Sequence, residues 1–399
     1  MTARFSRPWK GALALAAAAI LLAACGGASL GTSGAGNGSG DDTVKIGLLV
    51  AKSGVYASIG RDMENGFKLY LAEHGQKLGG KRVELVEVDE GDSPQSGVAG
   101  VTRLVQQDRV DVVVGIVAGP TATGGADIFT SSQVPVLLGN TGAVSLAKEK
   151  ASPWIWRASY DNGDPGRFLA PYLAQKLPPD QKVYLIAADY SGGHETIDGF
   201  KEKFPADRIA GETYTPFGKT TDYSPYLAKI RQSGAKAVFC FYAGAEAIAF
   251  TKQFNQFGLS NSVQLYGAGF LTEGSALEAE GEAALGVRNV TRYNWDFKNP
   301  VNQAFAANYQ KTYNSLPTVY AANMYDIAIM LDQAIGKISG EVTPKSINDQ
   351  LGSLGTVQGV RGALQFDSNR TVQQDFAIVE VQKTADGLRN VTIETLPRP

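Results

Sequence analysis

Histidine and cysteine are almost missing from this chain, with two of each in 399 residues. Zinc, haem and iron–sulfur centres draw their ligands mainly from those side chains, so most such architectures are excluded at the outset. Positive charge is not in excess either. Lys and Arg number 37 against 39 Asp and Glu, a formal net charge of -2. No basic excess exists to neutralise a run of phosphates, so nucleic acid is not an expected partner. The apolar run at 11–24 is fourteen residues long, short of the roughly 20 that a stable membrane span needs.

Enzyme motifs fail where they are tested. GASLG at 27–31 spells a nucleophile elbow but has no strand before it. Gly218-Lys219-Thr220 resembles the end of a phosphate loop, yet Thr213 stands where the motif needs glycine. No dinucleotide fingerprint follows a strand. His74 and His194 lie far apart without a surrounding carboxylate cluster, and each reads as a surface or helix-end residue. Neither a cofactor nor catalysis is expected.

What is present is a composition of ordinary globular type, 44% hydrophobic and 19% charged, over a length that suits about two to three units of roughly 150 residues. The N-terminus carries Arg4, Arg7 and Lys10 ahead of the apolar run and small residues at its end, which together describe an export signal over 1–24. Leu22-Ala23-Ala24-Cys25 resembles the bacterial lipobox, whose cysteine becomes the first mature residue and carries lipid. Residues 26–42 hold seven Gly and one bulky apolar side chain. A Gly/Ser coil of that length reaches roughly 20–25 Å, a leash between a lipid anchor on Cys25 and a soluble body. The expected location is the outer face of a bacterial cytoplasmic membrane. Cys240 then has no disulfide partner and reads as a small buried hydrophobe.

From residue 44 onward, strand-like runs alternate with helical patterns. VKIGLLV (44–50), 83–88, VDVVVGI (110–116) and VPVLL (134–138) are apolar on both faces, as strands of a parallel sheet covered by helices should be. The rhythm pauses at 152–166 and restarts with strands at 182–188, 209–214, 237–241, 263–266 and 287–291. Helices are expected at 301–313 and 319–338, then strand-like pieces at 363–366 and 376–381. The fold class is α/β, with two runs of βα units forming two doubly wound lobes. In open parallel sheets ligands bind beyond the carboxyl ends of the strands, so two such edges facing each other would make a cleft that can close.

Several segments together resemble the leucine/isoleucine/valine-binding family of type I periplasmic solute-binding proteins, which feed ABC transporters. They are VKIGLLVAKSGVYASIG (44–60), VELVEVDEGDSPQSGVAGVTRLVQQDRVDVVVG (83–115), PFGKTTDYSPYLAKIRQSGAKAVF (216–239), NPVNQAFAANYQKTY (299–313), PTVYAANMYDIAIMLDQAI (317–335) and VQGVRGALQFD (357–367). The resemblance implies two Rossmann-like lobes joined by a three-crossing hinge. One would hold 43–159 and 292–356, the other 160–291 and 357–399. It implies a monomer that captures a small carboxylate-bearing solute and presents it to permease subunits. A ligand sensor of the same fold and an exported enzyme are the rival readings.

The resemblance also nominates ligand contacts. The family holds a ligand carboxylate with backbone amides and hydroxyls of two loops, here 115–123 with Gly119 and Pro120, and 139–143 with Asn140, Thr141 and Gly142. Successive amides near a helix N-terminus can hold negative charge without a counter-cation. Ser53 and Tyr56 follow the first strand, and Tyr56 matches a tyrosine that packs over the ligand. Tyr190, Tyr242, Phe270 and Tyr320 complete the set. Gly269 stands where amino-acid binders place an acid for the ligand ammonium, and the nearest acid is Glu273. A buried ammonium without a carboxylate partner is costly. A small carboxylate with a neutral or aromatic body therefore fits the residues about as well as a branched-chain amino acid.

Overall fold

The structure, a computed structural model, describes residues 43–398. The export signal, Cys25 and the Gly/Ser leash lie outside the described residues. The strands are β1 (Thr43–Val50), β2 (Lys77–Leu78), β3 (Lys81–Asp89), β4 (Val112–Gly115), β5 (Val136–Leu138), β6 (Ile155–Trp156), β7 (Val183–Asp189), β8 (Ile209–Pro216), β9 (Ala237–Phe241), β10 (Gln264–Gly267), β11 (Arg288–Thr291), β12 (Val357–Gly359), β13 (Gly362–Phe366), β14 (Val372–Gln373), β15 (Phe376–Thr384) and β16 (Gly387–Leu396). The α-helices are α1 (Ala57–Glu73), α2 (Pro94–Thr102), α3 (Gly119–Ser132), α4 (Asp164–Lys176), α5 (Ser191–Lys201), α6 (Ser224–Ser233), α7 (Gly244–Gln256), α8 (Ser275–Glu280), α9 (Pro300–Tyr313), α10 (Val319–Gly336) and α11 (Pro344–Gly352).

Two sheets define two lobes. The first runs β2-β3-β1-β4-β5-β6 and the second β16-β15-β11-β10-β9-β7-β8. Strands β1 and β3 to β6 are parallel, as are β7 to β11. The central strands are buried along their whole length, which is why they read as continuous apolar runs. The hairpin β15–β16 closes the second sheet antiparallel to β11. Strand β16 gave no apolar run to read because polar and apolar side chains alternate along it, as on a sheet edge with one wet face.

The chain passes between the lobes three times: after β6, after β11 and before β15. Helix α10 explains the return to the first lobe. Its residues from Val319 to Leu331 are all buried, so it is a core helix surrounded on every side. Gly66 of α1 lets it approach: a Cβ there would lie 2.1 Å from the Ala321 carbonyl oxygen. Residues 357–373, which the resemblance assigns to the second lobe, bond instead to elements of the first. Val360 donates its N–H to Asp326 of α10 at 2.6 Å, and Arg157 beside β6 pairs with Thr371. Arg361 then ties two crossings together. Its guanidinium reaches Asp326 at 2.6 Å, the Ala158 and Ser159 carbonyls at 2.9 and 3.1 Å, and Gln374 at 3.1 Å.

Cys240 is buried in β9 and unpaired, and burial pushes its thiol well above the usual range. His194 stacks on Tyr214 and pairs with Asp189, half-exposed, while His74 ends α1.

Candidate functional site

The carboxyl ends of β7, β9 and β10 place three aromatic side chains in a row. Tyr190 follows β7, Phe241 ends β9 and Phe270 follows β10, with ring centroids 6.0 Å apart for the first pair and 5.7 Å for the second. Tyr160, on the first crossing, lies 5.7 Å from Phe270. Tyr320, in the first turn of α10, stacks parallel to Phe270 at 5.9 Å and 7°. Rings from both lobes and one crossing thus form a continuous cluster where the rule for open parallel sheets puts a ligand. Burial raises the hydroxyl pKa values of Tyr160, Tyr190 and Tyr320, so they stay neutral donors. Tyr56 is half-buried and its hydroxyl is likewise raised, first by burial and then by Glu246 and Glu90.

Hydrogen bonds of two buried or half-buried glutamates cross between the lobes. Glu273, after β10, accepts the Val319 N–H at 2.6 Å. Glu195 of α5 accepts the Val144 N–H at 3.1 Å and the Asn162 side chain at 2.7 Å. Beside the first lies a cavity of about 120 Å³ between Ile59 and Tyr320 on one lobe and Gly244 and Phe270 on the other. An outer groove of about 930 Å³ shares Asp62, Glu273 and Ser275 with it. Burial raises the Glu273 carboxyl to about 8, partly offset by the Val319 N–H, and raises Asp62 to about 6.

The two nominated loops of the first lobe do meet. Asn140 donates its side-chain amide to the Val117 carbonyl at 3.0 Å, and a Cβ on Gly119 would lie 3.3 Å from the Thr141 hydroxyl. Gly142 accepts the Asn162 N–H at 2.8 Å. The amides of the nest, however, are already taken by a buried carboxyl group, whose pKa burial raises. Gly115 and Ile116 turn the backbone through positive φ, and the next two N–H groups, of Val117 and Ala118, donate to the buried Glu90 carboxyl group at 2.7 and 3.0 Å. Pro120 has no N–H to offer. Ser53 is exposed, its hydroxyl bound to Asp89 at 2.9 Å.

Tyr242 lies away from the cleft. Strand parity decides it: Ala237, Phe239 and Phe241 face one way, and Val238, Cys240 and Tyr242 face the other, toward Tyr223 and Phe250. The Tyr242 hydroxyl bonds Thr215 at 3.1 Å in that interior. Gly269 sits at φ 85 with no room for a side chain, since a Cβ would lie 2.8 Å from the Val290 carbonyl. An acid could not occupy this backbone conformation without strain.

The sequence reading missed Tyr160, Phe241, Glu90, Glu195 and Arg292. Arg292 is 1% exposed, directly after β11, with its guanidinium carbon 4.1 Å from the Tyr160 ring centre and 5.3 Å from that of Phe270. The available signal was position, at a strand's carboxyl end.

Two hinged α/β lobes with an aromatic cleft between their strand ends define a solute-binding protein. The chain matches the family described as periplasmic binding protein over residues 43–387 and belongs to it; that family is extracytoplasmic. It is similar to Leu/Ile/Val-binding protein homolog 6 of Brucella melitensis, 30% identical over 364 residues, covering 87% of this chain and 89% of the relative. Among solved structures it is similar to an ABC-transporter solute-binding protein of R. palustris in complex with benzoate (27% identity, TM-score 0.81, 89% of this chain and 96% of that one). It is also similar to one of Rhodopseudomonas palustris HaA2 with p-hydroxybenzoic acid (29% identity, TM-score 0.80, 90% and 98%).

Proposed function

We propose that this protein is the extracytoplasmic solute receptor of an ABC importer, tethered by lipid on Cys25, and that it captures a small carboxylate-bearing solute between two closing lobes. The observation that carries the reading is the aromatic cluster of Tyr160, Phe270 and Tyr320, drawn from both lobes and a crossing and set beside a cavity between the lobes. Micromolar affinity corresponds to roughly -8 kcal/mol. A solute of about ten heavy atoms must then gain close to 0.8 kcal/mol per atom, near the limit for very small ligands. Such a solute has to be contacted on nearly all sides, which one open lobe cannot do and two closing lobes can.

Two features favour an aromatic or other neutral-bodied acid over a plain amino acid. Gly269 offers no carboxylate for an ammonium, and burial keeps Glu273 protonated up to about 8. The benzoate and p-hydroxybenzoic acid bound by the similar solute-binding proteins point the same way. A thermal-shift screen of aromatic acids, branched-chain amino acids and short carboxylates tests this. A solute at 100 times its dissociation constant adds about 2.7 kcal/mol of stability, so a true ligand gives a clear upward shift. A flat response across all three classes would contradict the reading.

A further inference from the structure

Three arginines are buried among the described residues, and they are not equally provided for. Arg361 has Asp326 at 2.6 Å and three further acceptors. Arg157 has Asp161 at 2.7 Å and the Gly142 and Ala143 carbonyls. Arg292 is as deeply buried, yet its Nε and Nη2 are buried with no hydrogen-bond partner. Among the described residues no carboxylate forms an ion pair with it. Burial pushes its pKa down only to about 10, so it keeps its charge at neutral pH. The acid whose field reaches it, Glu273, is held neutral up to about 8. What surrounds the guanidinium is aromatic: the Tyr160 ring at 4.1 Å and Phe270 at 5.3 Å. Cation–π attraction recovers only part of what water gave the charge.

A cation left unpaired in a protein interior is destabilising and persists where something else compensates for it. Its place in the fold says what could. Arg292 sits on the second crossing between the lobes, at the end of β11. Phe270, against which it lies, is also a wall of the cavity between the lobes and stacks on Tyr320. Charge and cavity therefore meet at one ring. The backbone nest at Val117 and Ala118 cannot supply the same service, because Glu90 already fills it.

We infer that Arg292 is the counter-ion for the carboxylate of the captured solute, whose uncharged aromatic body packs among Tyr160, Phe270 and Tyr320. The inference rests on the receptor reading above and narrows it to aromatic monocarboxylates. A single unpaired guanidinium matches a single carboxylate, and a guanidinium can bind both its oxygens at once. An ammonium on the same solute would meet the field of Arg292, with Glu273 still protonated beside it.

Calorimetry with benzoate, benzamide and L-leucine on the whole protein tests the assignment. Wild type should bind benzoate, and benzamide, of the same shape without the charge, should bind about 10- to 100-fold more weakly. Arg292→Gln should lower benzoate affinity to near that of benzamide, while Arg292→Lys keeps a preference for benzoate. Ligand-free Arg292→Gln should melt at or above the wild-type temperature, because it loses an unpaired buried charge. Wild-type benzoate affinity in Arg292→Gln, or equal binding of benzoate and benzamide by the unmutated protein, would overturn the assignment. The second arm needs no substitution and holds even if the variant folds poorly. Binding of leucine with no binding of benzoate overturns the aromatic class but leaves solute capture standing. Failure of the whole panel, widened to short carboxylates and other amino acids, removes the receptor reading and this inference with it.

Discussion

Replacing Glu273 by Gln should make the protein more stable above neutral pH, the reverse of what losing a hydrogen-bonded carboxylate usually does. Glu273 accepts the Val319 N–H across the cleft at 2.6 Å. Burial raises its pKa from 4.5 to about 8, the Val319 N–H lowers it in part, Asp62 raises it further and Arg292 opposes. A carboxyl whose pKa is raised by folding holds its proton longer in the folded chain than in the unfolded one. Between pH 4.5 and about 8 the folded state therefore binds more protons, and stability falls as pH rises through that window and levels off above it. The full displacement corresponds to on the order of 5 kcal/mol. Glu273 retains some solvent contact, which reduces the effect to roughly 2–3 kcal/mol. Gln keeps the carbonyl that accepts the Val319 N–H but has nothing to ionise. Urea unfolding of both proteins at pH 5.5, 7 and 9 isolates the contribution, because Asp62 and Asp164, both raised to about 6, are present in each. The gap in favour of Gln should be small at pH 5.5 and near its maximum at pH 9. A gap that does not grow with pH, or that favours Glu at pH 9, would refute the reasoning.

Two structural predictions follow from the hinge and the helix pair. Asp326→Asn leaves Arg361 buried without its anion and should cost about 3–5 kcal/mol of stability, read from chemical unfolding, with Arg361 still held by the Ala158 and Ser159 carbonyls. Gly66→Ala places a methyl 2.1 Å from the Ala321 carbonyl oxygen. It should force α1 and α10 apart at a cost of about 1–3 kcal/mol, seen as a lowered melting temperature; an unchanged one would mean that the helices yield freely.

The strands that carry the fold were legible because burial on both faces leaves an unbroken apolar run, as in β1, β4 and β9. Helix α10 was legible for the same reason. The return of the chain to the first lobe was not, since it depends on contacts between Gly66 and Ala321 and between Asp326 and Arg361 that are far apart in sequence. Within the site, Tyr56, Tyr190, Phe270 and Tyr320 were placed at strand ends or loops where the resemblance puts ligand contacts, and the four share one neighbourhood. Tyr242 differs by a single step of strand parity, which turns its ring into the α6–α7 side of the sheet. Counting from Ala237 outward would have revealed this. Glu90 and Arg292 were invisible for another reason. A charged side chain in a loop or at a strand end looks solvated until its neighbours are known, and here both are enclosed.

Small-angle X-ray scattering with and without the solute that gives the largest thermal shift addresses closure of the lobes most directly. At saturation the radius of gyration should fall and the profile should approach that expected of this structure, in which Glu273 meets Val319 and Phe270 stacks on Tyr320. A scattering profile unchanged by a saturating, calorimetrically verified ligand would contradict capture by two moving lobes.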